Sequence, residues 1–120
     1  MRNDLIVRAA IIGGKYITDD KAITVLNPYD GRFIGTVPDL CEDMINHAID
    51  VTYKALEGWK NKTASERSHI MKKWYDLIIE HTDDLAVIMT MEQGKPLAEA
   101  RGEIAYAASY IEWFAEEGKR

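Results

Sequence analysis

Cys41 is the only thiol in this 120-residue chain and therefore its only candidate cysteine nucleophile. A reactive thiolate needs cationic surroundings, but Cys41 has Asp39, Glu42 and Asp43 beside it. It reads as a small, partly buried residue at a helix start rather than a catalytic group. His47, His69 and His81 have no partner at i+3 or i+4, so the short repeated spacing of a zinc site is missing. Gly13-Gly14 lacks the G-x-G-x-x-G spacing of a dinucleotide cradle and precedes a β-like run, which predicts a turn or bulge. Glu99 and Glu103 share a helix face, with Glu92 upstream. A solvated or ion-paired face explains them more simply than general acid–base catalysis. Tyr106 and Tyr110 are also four apart, a spacing that suits packing or the wall of a substrate channel. No catalytic and no cofactor-binding residue is expected in this chain.

The elements that would position these groups change period near residue 40. Ala10–Ile17 and Ala22–Leu26 are β-leaning, and Asn27-Pro28-Tyr29-Asp30-Gly31 supplies turn chemistry before a returning strand, Arg32–Val37. From Cys41 the period is helical. Met44, Ile45, Ala48, Val51, Thr52, Ala55 and Leu56 give a first helix an apolar face that runs to about Trp59. Thr63-Ala64-Ser65-Glu66 matches a capping box for a second helix, with Ile70, Trp74, Leu77 and Ile78 as its stripe. Thr82 is expected to cap a third helix that Gly94 stops. Pro96 suits the first turn of a fourth helix, whose stripe is Leu97, Ala100, Ile104, Ala107, Ile111 and Phe114. Trp59, Trp74 and Trp113 are expected as core anchors. That fourth helix is long for the core available, which predicts exposed apolar surface and self-association of the chain.

Composition narrows the function classes. A formal net charge of −5, with Lys and Arg interleaved among Asp and Glu, argues against a nucleic-acid partner. No apolar run reaches bilayer length, and Asp4 and Arg8 interrupt the N-terminal one, so neither a membrane span nor a signal core is expected. One cysteine permits no internal disulfide, and a cytoplasmic location is the default.

Several motifs then occur in a recognisable order. They are Ile12-Gly13-Gly14-Lys15-Tyr16-Ile17, Asn27-Pro28 with Asp30-Gly31, Ile34-Gly35-Thr36-Val37-Pro38, Ala64-Ser65-Glu66-Arg67, Met91-Glu92-Gln93-Gly94-Lys95-Pro96 and Glu112-Trp113-Phe114-Ala115-Glu116-Glu117. Singly each is weak. Their ordered set resembles the N-terminal part of the aldehyde dehydrogenase superfamily, in the branch that oxidises succinic and related acidic semialdehydes. The resemblance implies an α+β fragment of an α/β enzyme: an antiparallel β-hairpin (10–38), then about four amphipathic helices (41–117). Residues 1–120 would form the front of the nucleotide-binding domain, with the Rossmann sheet absent from this chain. It further implies thiolate attack on an aldehyde, hydride transfer to NAD or NADP and thioester hydrolysis, carried by groups this chain does not contain. No tight cofactor binding by the segment itself is expected. The aldehyde would be met through the full-length enzyme, expected to be a homo-oligomer. In some relatives backbone carbonyls and an acidic residue bind an alkali cation. The matching positions are Val25, Leu26 and Glu92, where many relatives carry Asp instead of Glu. Tyr106 matches a position bordering the substrate entrance. The competing expectation is a non-catalytic helical protein-interaction module that docks through its last helix.

Overall fold

The computed structural model describes residues 3–120, with side-chain exposure from Asp4 onward. After a 3-10 turn at Asn3–Leu5, Gly13 (φ 59°) and Gly14 (φ 77°) form a two-residue turn. Positive φ at both central positions matches the right-handed twist of the flanking strands. The turn folds β1 (Ala10–Ile12) antiparallel onto β2 (Lys15–Ile17), pairing Ile12 with Lys15. A second antiparallel hairpin joins β3 (Ala22–Leu26) to β4 (Phe33–Pro38). In its loop the Asn27 side chain accepts from the Tyr29 N–H at 2.9 Å, and the Asp30 side chain accepts from the Arg32 N–H at 3.1 Å. Val25 pairs with Gly35 but Leu26 with Phe33, so Ile34 is an extra residue, and this bulge leaves Ile34 and Gly35 both buried. The antiparallel hairpin expected over 10–38 is thus two hairpins, separated because Gly13-Gly14 closes a turn of its own.

Four helices follow: α1 (Glu42–Lys60), α2 (Ala64–Glu80), α3 (Thr82–Gln93) and α4 (Leu97–Glu117). The α2 capping box forms as expected. The Thr63 N–H donates to the Glu66 carboxylate at 2.7 Å, and the Glu66 N–H donates to the Thr63 hydroxyl at 3.2 Å. Gly94, left-handed at φ 79°, ends α3, and its N–H donates to the Thr90 carbonyl at 2.8 Å. Thr82 does not cap α3. His81 serves as both the last cap of α2 and the first of α3, so Thr82 is already helical, and its hydroxyl donates back to the carbonyls of Ile78 and Ile79. Pro96 stands at the N-cap of α4, one position before the first turn.

The packed centre is a three-helix unit in which α4 lies against α2 and α3. Ala86, Ala100 and Ile104 form its buried cluster, enclosed by Ile78, Leu85, Met89 and Leu97. Ala108 and Ala115 extend the buried edge of α4, and Ser68 is the buried residue of α2. Small side chains at these positions let the helix backbones approach closely. Arg101 pairs with Asp83 at 2.7 Å, linking α4 to the start of α3, while Lys95 pairs with Glu103 along the entry to α4.

Two expected stripes hold in part: Ile78 on α2 and Leu97, Ala100, Ile104 and Ile111 on α4 are buried or half-buried as expected, and the remaining positions are displaced. On α2, Ile70, Trp74 and Leu77 face outward, while Ser68 is buried and Met71, Tyr75 and Ile78 are half-buried. On α4, Ala108 and Ala115 take the buried places expected of Ala107 and Phe114. Both helices are apolar on more than one side, and only one side meets a partner within the chain. Trp59, Trp74 and Trp113 are accordingly exposed rather than core anchors. The α1 helix has no buried residue at all. The result is a flat body of 48 × 37 × 19 Å with a radius of gyration of 16.9 Å. A compact chain of this length has about 13.6 Å.

Candidate functional site

The α4 helix carries a second stripe beside its buried one. Tyr106, Ser109, Tyr110, Trp113 and Phe114, at i, i+3, i+4, i+7 and i+8, line an open groove of about 360 Å³. Helical spacing alone puts these residues on one face, because three or four positions separate neighbours on a 3.6-residue turn. The two tyrosine rings meet edge to face, with centroids 4.9 Å apart and planes at 81°, and their hydroxyls lie 2.6 Å apart. Hydrogen bonding to Tyr106 raises the Tyr110 pKa above its ordinary 10.0, with desolvation adding to the effect. Tyr110 therefore stays protonated at neutral pH and offers a hydrogen bond, not a base. Ser109 is occupied locally, its hydroxyl donating to the Tyr106 carbonyl at 2.7 Å. The groove can hold an apolar or aromatic surface along a polar hydroxyl pair. It contains no nucleophile. Tyr106 lies exposed on α4 rather than packed in the core. Sequence reasoning does not single out Ser109, Trp113 and Phe114 as its partners, although their spacing signals them.

The other sequence-derived positions scatter. Val25 and Leu26 end β3, and the turn that follows Leu26 lies against the end of α3, two residues past Glu92. Glu92 is exposed there. The contact between the Pro28 loop and Gly94 links the two segments that carry these three candidates. Their donors would all be oxygens, a set that suits a hard cation. Cys41 is exposed at the N-cap of α1 rather than partly buried. His47 and His69 lie exposed on α1 and α2, and His81 caps α2. Among the described residues, no three His, Cys, Asp or Glu side chains converge as a metal site would require. No described helix is long and apolar enough to cross a membrane.

Known proteins resemble this chain over nearly its whole length. The model of the aldehyde dehydrogenase family matches residues 16–120. The NADP(+)-dependent succinate-semialdehyde dehydrogenase GabD of Escherichia coli (strain K12) is 51% identical over 120 residues, covering 98% of this chain and 25% of that protein. A glutarate-semialdehyde dehydrogenase of Pseudomonas putida is 54% identical over 113 residues, or 92% of this chain and 24% of its own length. The crystal structure of an aldehyde dehydrogenase from Brucella melitensis biovar abortus 2308 superposes with a TM-score of 0.96 at 55% identity, covering 99% of this chain and 25% of that one. The chain therefore spans about a quarter of the length of the relatives it matches.

Proposed function

Because the chain belongs to the aldehyde dehydrogenase family, we propose that it forms the front quarter of an NAD(P)-dependent enzyme oxidising succinic semialdehyde, or a similar acidic semialdehyde, to the acid. Near-complete coverage of the chain by semialdehyde-oxidising relatives, in one continuous match, supports this assignment. The residues present do not fit a nicotinamide dinucleotide. Gly13-Gly14 closes a hairpin and opens no helix, so it presents no helix N-terminus to a pyrophosphate. Nucleophile, base and cofactor site belong, in this proposal, to the rest of the longer protein, a cytoplasmic homo-oligomer.

This segment contributes walls and supports. Tyr106, tied to Tyr110, forms part of the substrate approach. The carbonyls of Val25 and Leu26 with the Glu92 carboxylate hold an alkali cation that braces the corner between β3 and α3. The exposed outer faces of α1, α2 and α4 favour this assignment over a self-contained interaction module, which would be expected to hide its apolar surface.

Two measurements test it. Reading the coding DNA past the Arg120 codon should reveal an open frame carrying a glycine-rich turn, a glutamate and a cysteine. An immediate stop codon overturns the assignment. The purified 120-residue chain, given succinic semialdehyde with NAD+ or NADP+, should form no reduced cofactor, and steady aldehyde-dependent turnover would overturn the division of labour.

A further inference from the structure

We infer that two ion pairs, Arg101–Asp83 and Glu112–Lys72, set the rotation of α4 about its own axis and so decide which of its apolar flanks is buried. Leu97, Ile104 and Ile111 recur every seven residues and mark the centre of the apolar side. At about 100° per residue, Ala108 and Ala115 fall roughly 40° and 20° to one side of Ile104, and Ala107 and Phe114 roughly 60° and 80° to the other. Both flanks are apolar. Burial of Phe114 in place of Ala115 would remove more apolar surface from water, so the hydrophobic effect alone favours the second flank. The chain buries the first: Ala108 and Ala115 are enclosed, while Ala107 and Phe114 are exposed.

The two pairs lie on the side that is buried. Arg101 and Glu112 are separated by about three helical turns and fall roughly 60° and 80° from Ile104, in the direction of Ala108. Each reaches a different neighbour. The Arg101 guanidinium meets Asp83 at the start of α3, 2.7 Å away, and the Glu112 carboxylate meets Lys72 on α2 at 3.6 Å. The Lys72 ammonium also rests 5.5 Å from the centre of the Tyr75 ring, a second contact that restricts its position. The other ion pairs of α4, Lys95–Glu103, Lys119–Glu116 and Arg120–Glu117, are local to the helix and its ends and tie it to no neighbour. Exposed pairs add little stability. Here they need only choose between two flanks that share Leu97, Ile104 and Ile111, so their effect is on which arrangement forms. The same setting delivers Phe114 to the aromatic groove, beside Tyr110 and Trp113.

Cysteine labelling of the 120-residue chain reads this rotation. In a Cys41→Ser background, Ala107→Cys should react with a water-soluble maleimide about tenfold or more faster than Ala108→Cys. Lys72→Gln with Asp83→Asn removes both pairs without adding repulsion and should narrow that ratio by about threefold or more. Arg101→Glu with Glu112→Arg leaves the net charge unchanged but sets like charges against both neighbours. It should invert the labelling order while circular dichroism shows the helices retained. Adding Lys72→Glu and Asp83→Arg to that chain restores complementarity and should restore the original order. A ratio unchanged by the charge variants overturns the inference and assigns the choice of flank to close packing of the alanines. So does equal labelling at 107 and 108 in the unaltered chain, or an inverted order that the compensating changes fail to restore. Loss of helix on charge reversal also overturns it, since the pairs would then be general supports that select no face.

Discussion

A Cβ placed on Gly94 would lie 3.0 Å from Cγ of Pro28, so the loop of the second hairpin is seated directly on the C-cap of α3. Two constraints coincide at Gly94. Its φ of 79° is costly for any residue with a side chain, and the space beside it is already filled. Gly94→Ala should destabilise the chain by about 2 kcal/mol, since the left-handed conformation alone costs roughly 1–2 kcal/mol. Part of that loss is the contact with Pro28. In a Pro28→Ala background the same substitution should cost less, by at least about 0.5 kcal/mol, because the pair is in direct contact. Urea melts of the four proteins supply the cycle, and strict additivity would show that the loop and the cap are independent.

The cap at the start of α2 predicts a pH dependence. Glu66 accepts from the backbone N–H and hydroxyl of Thr63, in that order of effect, and both hold its carboxyl below the ordinary 4.5. A group whose folded pKa is depressed stabilises above its unfolded pKa, and the contribution vanishes as pH falls through the folded value. Amide protection in the first turn of α2, taken relative to the intrinsic exchange rate at each pH, should therefore fall below about pH 4.5. Glu66→Gln should flatten that acid limb, since its side chain does not titrate. Thr63→Ala should cost about 1 kcal/mol near neutrality.

The buried alanines predict an asymmetry between two neighbouring positions. Ala108 has no exposed surface on the edge of α4 that meets its neighbours. Ala108→Leu should destabilise by about 1–3 kcal/mol through overpacking. Ala107→Leu, one position round the same helix and exposed, should be close to neutral. Thermal melts of the two variants separate these outcomes, and equal losses would contradict the observed face.

Local chemistry is legible in the sequence wherever one short segment determines its own shape. Gly13-Gly14 as a turn, the Asn27–Gly31 loop, the Thr63–Glu66 box and the Gly94 stop all depend on backbone demands that few residues meet. Faces are harder to read. Periodicity shows that α2 is amphipathic, but Ile70, Trp74 and Leu77 compete with Met71, Tyr75 and Ile78 for the inside, and the choice depends on which side α4 occupies. On α4, Ala108 is buried and Ala107 is not, although both positions carry the same residue, so nothing local distinguishes them. The aromatic groove follows from the same displacement. Once Ile104, Ala108 and Ala115 set the packed side of α4, Tyr106, Tyr110 and Trp113 are turned together to the outside.

The three tryptophans make that displacement measurable. Trp59, Trp74 and Trp113 are 37%, 57% and 61% exposed, one on each of three helices. Indoles in contact with water emit to the red and are accessible to an aqueous quencher. Single-tryptophan variants of the 120-residue chain should show strong iodide quenching at Trp74 and Trp113. Quenching at Trp59 should be weaker. In a longer protein that covers the outer faces of α2 and α4, Trp74 and Trp113 should shift to the blue and lose quencher access. Protected, blue-shifted emission from Trp74 or Trp113 in the short chain would mean that these helices are turned the other way, with the aromatic groove buried rather than displayed.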